Sequence, residues 1–336
     1  LRSLLHISFL ALVFCPSLTV AAGVDTYNLR DFGATGDGVA DDGPALQDAL
    51  DALAAAGGGT LFVPEGRYAI ITPVSRDFSG LATSITIKGV PSSTVVDNSG
   101  SGNELTKPLN LISEFLPQTG ETQIAIKISG LQNLLITDLA FVGTPDVDTD
   151  AMVTLFFQQI EEATIRHCEF YGLSSVVSGG GIITSVQSGL KIGQSKFLGS
   201  TANSGLSTSV VQNFAWRAIE VADTVFADYG QRPELYGKLG LSTPYSWINI
   251  GKADEVESSS PRREAVIRNV FLDEGAFVGI LSNPSAYPPP NAPIDLIYIT
   301  DLRMNVTNLA AYGNYFSNTR GVLIEKSRYQ WSHNAD

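Results

Sequence analysis

Cysteine is nearly absent, with 2 in 336 residues, Cys15 and Cys168. Cys15 lies in an apolar leader, so Cys168 has no intrachain partner and a disulfide scaffold is excluded. Histidine is as scarce: His6, His167 and His333 are the 3 positions. A histidine-rich zinc centre and serine–histidine–aspartate catalysis both lack their material. Basic residues number 21 against 34 acidic ones, for a formal charge of −13. That sign offers no footprint for a phosphate backbone, and no nucleic-acid partner is expected. Charged residues are only 16% and hydrophobic ones 44%, which excludes a disordered chain. Long helices between strands are missing too, so a doubly wound α/β fold is set aside.

What is present begins with Arg2 and the apolar run Ile7-Ser8-Phe9-Leu10-Ala11-Leu12-Val13-Phe14-Cys15. Small residues follow and end in Val20-Ala21-Ala22-Gly23. This order predicts a secretory signal peptide cut after Ala22, and the apolar stretch is short for the roughly 30 Å of a bilayer core. Residues 1–22 are expected to be a leader and 23–336 one domain, secreted or periplasmic, without membrane association after cleavage. The opening on Leu1 fits an incomplete reading frame. Asn305-Val306-Thr307 matches an N-glycosylation acceptor, relevant where the host glycosylates.

One phrase recurs beyond residue 120. It reads Leu135-Ile136-Thr137-Asp138-Leu139-Ala140-Phe141, then Thr164-Ile165-Arg166-His167-Cys168-Glu169-Phe170, then Lys191-Ile192-Gly193-Gln194-Ser195-Lys196-Phe197. Further copies centre on Val221, Ile267 and Ile299, with a looser one at Ile324. Repeats of about 20–50 residues built of short strands are the mark of a solenoid. Ile136, Leu139 and Phe141 are expected to point inward, and Thr137 and Ala140 outward. Asp138, His167, Gln194, Asp223, Asn269 and Asp301 share one bend position, where Asn and Asp suit left-handed backbone. A second strand is expected before each phrase: 125–128, 152–156, 181–184, 209–211, 247–250, 278–281 and 313–316. The fold class is therefore all-β, a single-stranded parallel β-helix with three short strands per coil. The widest gap, between Val221 and Ile267, places long lateral loops at 228–263.

One helix is expected, over 42–56. Asp42 is positioned to cap it, Pro44 sits in its first turn, Leu46, Leu50 and Leu53 share a face, and Gly57 stops it. It is read as a lid over the first coil. Asp37-Gly38 and Gly57-Gly58-Gly59 are read as turns and caps, since no phosphate-loop spacing surrounds them. After about Trp331 nothing resembles a cap, so another subunit or further chain is expected to cover that end.

The run Tyr27-Asn28-Leu29-Arg30-Asp31-Phe32-Gly33-Ala34-Thr35-Gly36-Asp37-Gly38-Val39-Ala40-Asp41-Asp42, with Gly57-Gly58-Gly59-Thr60-Leu61-Phe62-Val63-Pro64-Glu65-Gly66-Arg67-Tyr68, resembles the opening of the pectate-lyase superfamily. With the coil phrases, the resemblance spans about residues 25 to 331. It implies a right-handed parallel β-helix with an N-terminal capping helix. It does not fix a reaction, because the superfamily holds polygalacturonases, exo-β-1,3-glucanases, uronate lyases, epimerases and phage tailspikes.

A row of parallel strands walled by loops suits an extended polysaccharide. Tyr229, Arg232, Glu234, Tyr236, Tyr245 and Trp247 can stack on sugars or orient them, and Lys252 borders the same region. Asp148-Thr149-Asp150-Ala151 resembles the Asn-Thr-Asp-Gly block of polygalacturonases, which implies a role for Asp150 in assisting water attack. The paired Asp of the next coil is missing, for 172–180 reads Gly-Leu-Ser-Ser-Val-Val-Ser-Gly-Gly. Hydrolysis needs two carboxyl groups, so Asp228 and Asp254 are the candidate partners of Asp150. Asp146 and Asp148, beside Asp150, are oxygen ligands of the kind calcium takes; calcium is an optional cofactor and none is required. His167 is read as a turn residue.

A glycoside hydrolase is the first expectation. The alternative is a lyase or epimerase on a uronate polymer, with Arg232, Lys238, Lys252, Arg262, Arg263 and Arg268 as candidates to neutralise the substrate carboxylate. A non-catalytic carbohydrate-binding or structural β-helix is the third.

Overall fold

The structure is a computed structural model. It describes residues 25–331 apart from 82, 92–108, 110, 119–123, 144–152, 172–174, 180–188, 199–208, 214–217, 228–245, 250–263, 273–277, 283–294, 307–311 and 317–318.

The strands form an 18-stranded sheet and an 8-stranded sheet, and every pairing between named strands is parallel. The larger sheet holds two rows joined at a bend. In the first row Leu61, Ile87, Ile136, Ile165, Ile192, Val221, Ile267, Ile299 and Ile324 lie rung over rung in register. In the second row Phe141, Phe170, Phe197 and Phe226 do the same. The smaller sheet is the third row, running from Val74–Asp77 through Ile124–Ser129 and Val153–Gln158 to Tyr312–Phe316. The fold is thus a capped right-handed parallel β-helix.

Each rung buries like upon like. Ile136, Ile165, Ile192, Val221, Ile267 and Ile299 are at most 1% exposed. The rings of Phe141, Phe170, Phe197 and Phe226 stack at 4.9, 4.6 and 4.6 Å, within 8° of parallel. Such ring pairs add about 0.5–1.5 kcal/mol each beyond their area burial.

The bend between the first two rows is made by one residue in left-handed backbone: Asp138, His167, Gln194, Asp223, Asn269 and Asp301 have φ from 48 to 59°, and Lys326 follows at 49°. Gln194 and Lys326 take the strain that Asn and Asp tolerate more readily. A second left-handed position, Gly130 (φ 73°) and Gln159 (φ 52°), turns the chain from the third row into the first.

Helix α1 (Gly43–Ala56) covers the first coil, packing against 29–32 and the strands 26–28, 59–62 and 74–77. Ala45, Leu46, Ala49, Leu50 and Leu53 form its buried face. Gly57, at φ 78°, ends it. Gly59 is required differently: at φ 139°, a Cβ there would stand 2.6 Å from the Asp25 carbonyl oxygen.

Four readings of the sequence change. The Asp42 side chain makes no capping bond. It turns back and accepts from the Thr35 and Gly36 amides at 2.7 and 3.2 Å, while Asp41 accepts from the Gly43 amide at 3.0 Å. Ala140 is fully buried, because a second apolar layer of Leu111, Leu116, Val142, Tyr171, Leu198, Val225 and Phe271 lies outside the second row. The third-row strand expected at 181–184 is Ser175–Gly179; register, pairing Val177 with Leu155 and Val211, outweighs the local appeal of Ile182-Ile183, which lie outside the described residues. Finally, the bend does not always break the strand, since 218–227 and 264–272 run through it.

Candidate functional site along the third strand row

The short bend leaves little room between the first and second rows. Long connections occur instead where the chain enters or leaves the third row, as at 143–152, 199–208, 228–245, 250–263 and 283–295. The third row is thus bordered by most of the long stretches of sequence between strands.

Alternation sorts the row's side chains. Ile126, Ile128, Leu155, Phe157 and Ile248 are buried in the core, and Lys127 and Phe156, between them in sequence, are half-buried on the other face. Lys127 and Phe156 are register partners on adjacent strands, and the ammonium lies 5.8 Å from the ring centroid. A cation over an aromatic face is attracted by the negative face of the ring. On the other side Lys127 pairs with Ser75. Asp77 accepts from the Ser79 hydroxyl and amide at 2.7 and 3.0 Å and from the Ser129 hydroxyl at 3.1 Å. Those bonds, the Ser79 hydroxyl first, and the Lys127 charge hold its carboxyl below the usual range despite partial burial. The Thr154 hydroxyl is buried without a partner among the described residues.

The candidates named from sequence divide sharply. Asp146, Asp148 and Asp150 lie outside the described residues, as do Asp228, Tyr229, Arg232, Glu234, Tyr236, Lys238, Tyr245, Lys252, Asp254, Arg262 and Arg263. Trp247 is placed on the strand Ser246–Asn249, one residue before the buried Ile248. Arg268 belongs elsewhere: it is on the first row, paired to Glu220 at 3.0 Å and near Asp223 at 3.7 Å. Among the described residues no group of three or more His, Cys, Asp or Glu side chains is placed to hold a metal ion.

His167 is a bend residue as expected, its Nδ1 2.8 Å from Asp138 one rung away. The neighbouring Cys168 is free and fully buried, and burial pushes its thiol up to about 12, which makes it inert.

Two features escaped the sequence reading. Lys127 carried a signal, a lone cation between Ile126 and Ile128 on an alternating strand. Glu169 and Lys196 carried none. They are register neighbours facing outward from the second row, yet Glu169 is fully buried and accepts from the Leu109 amide. Burial lowers the Lys196 ammonium, partly offset by the charge of Glu169. A carboxylate so enclosed is out of reach of a polymer in this structure.

Fold and rows define the class, a capped parallel β-helix. The chain belongs to the rhamnogalacturonase A/epimerase, pectate lyase-like family, whose pattern matches residues 26–233. A 44-residue stretch is 59% identical to the mannuronan C5-epimerase AlgE5 of Azotobacter vinelandii, covering 13% of this chain and 4% of that protein. A stretch of the same length is 54% identical to alginate lyase 7 of that organism, over 13% and 5%. Another is 50% identical to plasmin and fibronectin-binding protein A of Streptococcus pneumoniae, over 13% and 6%. The chain thus spans only a small part of these relatives. The tailspike protein of Acinetobacter baumannii bacteriophage Fri1, a capsular polysaccharide depolymerase, shares the fold at 9% identity, with a TM-score of 0.51 over 90% of this chain and 57% of that one.

Proposed function

We propose that this is a secreted or periplasmic polysaccharide-active protein that works on a uronate polymer as a lyase or epimerase, along the third strand row. The leader 1–22 and a single β-helix domain over 23–336 are part of this reading. What supports it most is that, beside the family match, the short shared stretches occur in a mannuronan epimerase and an alginate lyase. Glycoside hydrolysis, with Asp150, Asp228 and Asp254 as acid and base, is the second reading, favoured by the likeness of 148–151 to the polygalacturonase block.

Elimination and epimerisation share a first step. A base removes the proton at C5, next to the carboxylate, and the negative charge that develops must be neutralised. The third row offers Lys127 for that charge, beside the aromatic face of Phe156 for the sugar's apolar side. Loss of the 4-oxygen then gives an unsaturated end; return of a proton to the opposite face gives the epimer. Local cations are needed in a protein of charge −13, which otherwise repels a polyanion.

The test is incubation with mannuronan, polygalacturonate and a neutral glucan. Ultraviolet absorbance at new chain ends marks elimination. A change of C5 configuration without scission marks epimerisation. Reducing ends without absorbance sink this reading in favour of hydrolysis, and inertness toward all three favours simple binding. Lys127→Ala should lower turnover by at least about tenfold, roughly 1.4 kcal/mol of transition-state stabilisation, with only the small loss of Tm that its contacts to Phe156 and Asp77 entail. Loss of activity in chelator and its return with calcium alone would bring in the aspartates at 146, 148 and 150.

A further inference from the structure

The outward column of the second row changes character toward its end. Val225, Phe271, Arg303 and Arg328 follow one another in register. Arg303 and Arg328 are exposed and have no hydrogen-bond or ion-pair partner for their guanidinium groups among the described residues. Strands in a sheet lie about 4.8 Å apart, and like charges directly opposite each other destabilise a pair. Asp301, at the bend before Arg303, accepts from the Thr300 hydroxyl at 2.9 Å and forms no ion pair with either arginine among the described residues.

Beside Arg303 is a depression of about 110 Å³, floored by Val225 and Phe271 and edged by Asp223 and Asn269. Asn269 donates to Asp223 at 2.8 Å, and Arg268 approaches the other carboxylate oxygen at 3.7 Å, so the Asp223 charge is shared. Pockets that enclose a whole ligand run to roughly 300–1,000 Å³. This one suits a single ring of a chain that otherwise lies in solvent. Its chemistry is an apolar floor, an acceptor and an amide for hydroxyls, and the Arg303 guanidinium, with Arg328 one rung on outside the lining; neither guanidinium has a partner among the described residues, and such groups bind carboxylates through paired hydrogen bonds.

We propose that this depression is a second saccharide site, on a different face from the third row, which takes one hexuronate unit with its carboxylate on Arg303 and Arg328. It rests on the uronate reading only for the source of the ligand; its chemistry stands on the second row alone. Its use would be to hold a polymer at a distance from the reacting unit.

The test is binding of a short galacturonate oligosaccharide to the intact protein by calorimetry, with the methyl-esterified oligosaccharide as control. Arg303→Gln and Arg328→Gln should each weaken binding about tenfold, leave turnover of short substrates unchanged, and melt no earlier than the parent, since they relieve repulsion. Arg303→Lys should retain part of the affinity. Lys127→Ala should remove at most the third-row component of the binding and leave the component that Arg303→Gln and Arg328→Gln weaken, so that failure of the third-row reading and failure of this one are told apart. Equal affinity for the ester, equal displacement by inorganic sulfate, or indifference to both glutamine variants would overturn the proposal.

Discussion

The corner between the first and second strand rows and the borders of the third row are built by opposite rules. At the corner a single left-handed residue turns the chain in coil after coil, and the residues after it enter an aromatic stack whose last spacings differ by only 0.3 Å. At the third row the core side is as regular, with Ile126, Leu155 and Ile248 each buried, but the stretches of sequence joining it to the other rows run from 3 residues at 130–132 to 18 at 228–245. In a solenoid each rung answers mainly to its neighbours. Regularity at one corner holds the coil together and frees the other side to vary, and variation is what a binding surface needs.

That contrast can be broken from the corner. Phe170→Ala removes a ring stacked on both sides and should destabilise by about 3–5 kcal/mol, read by denaturant unfolding. Saccharide binding by the protein that remains folded should be unchanged; selective loss of binding would erase the division of labour.

Asp42→Ala should come next, at about 2–3 kcal/mol, because it strands the Thr35 and Gly36 amides around a nearly buried carboxylate. An effect below about 0.5 kcal/mol would mean the loop at 35–36 is satisfied by water.

Gln194 sharpens the comparison at a single position. Gln194→Val at φ 50° should cost about 1–2 kcal/mol, while Gln194→Gly should be neutral or stabilising. The same order of thermal midpoints at Asn269 would extend the rule along the ladder.

The smallest effect concerns acid. Partial burial works to raise the Asp41 carboxyl, but the Thr72 hydroxyl and the Thr72, Gly43 and Ile71 amides outweigh it and hold it below 3.8. A group lowered by folding stabilises fully above its unfolded value, and that contribution fades as pH falls below about 3.8 toward the folded value. Asp41→Asn should lose about 0.5–1 kcal/mol at neutral pH and show a shallower acid limb in its stability profile. An unchanged limb would assign that part of acid unfolding to other carboxylates.

Much of this was legible in the residues. A strand alternates its faces, so the apolar ladder at Ile136, Ile165, Ile192 and Val221 and the bend at Asp138 or Asn269 are local patterns that repeat with the coil. Illegible were the properties that depend on what lies across a rung. Ala140 and Thr137 look alike as small outward residues, but only Ala140 is covered by the second apolar layer. Asp42 stands where a cap is usual, yet tertiary contact with 35–36 takes its carboxylate and leaves the Gly43 amide to Asp41. Lys127 became a candidate only when register set Phe156 beside it.

Alone, the amino-acid order determined the class of fold, the place of the helix and the rows, because those follow from periodicity and steric preference along a few residues. Which carboxylates are free, which cations are paired and which faces are covered was decided by the coiled structure. Groups far apart in sequence meet there, and desolvation and charge depend on distance through space.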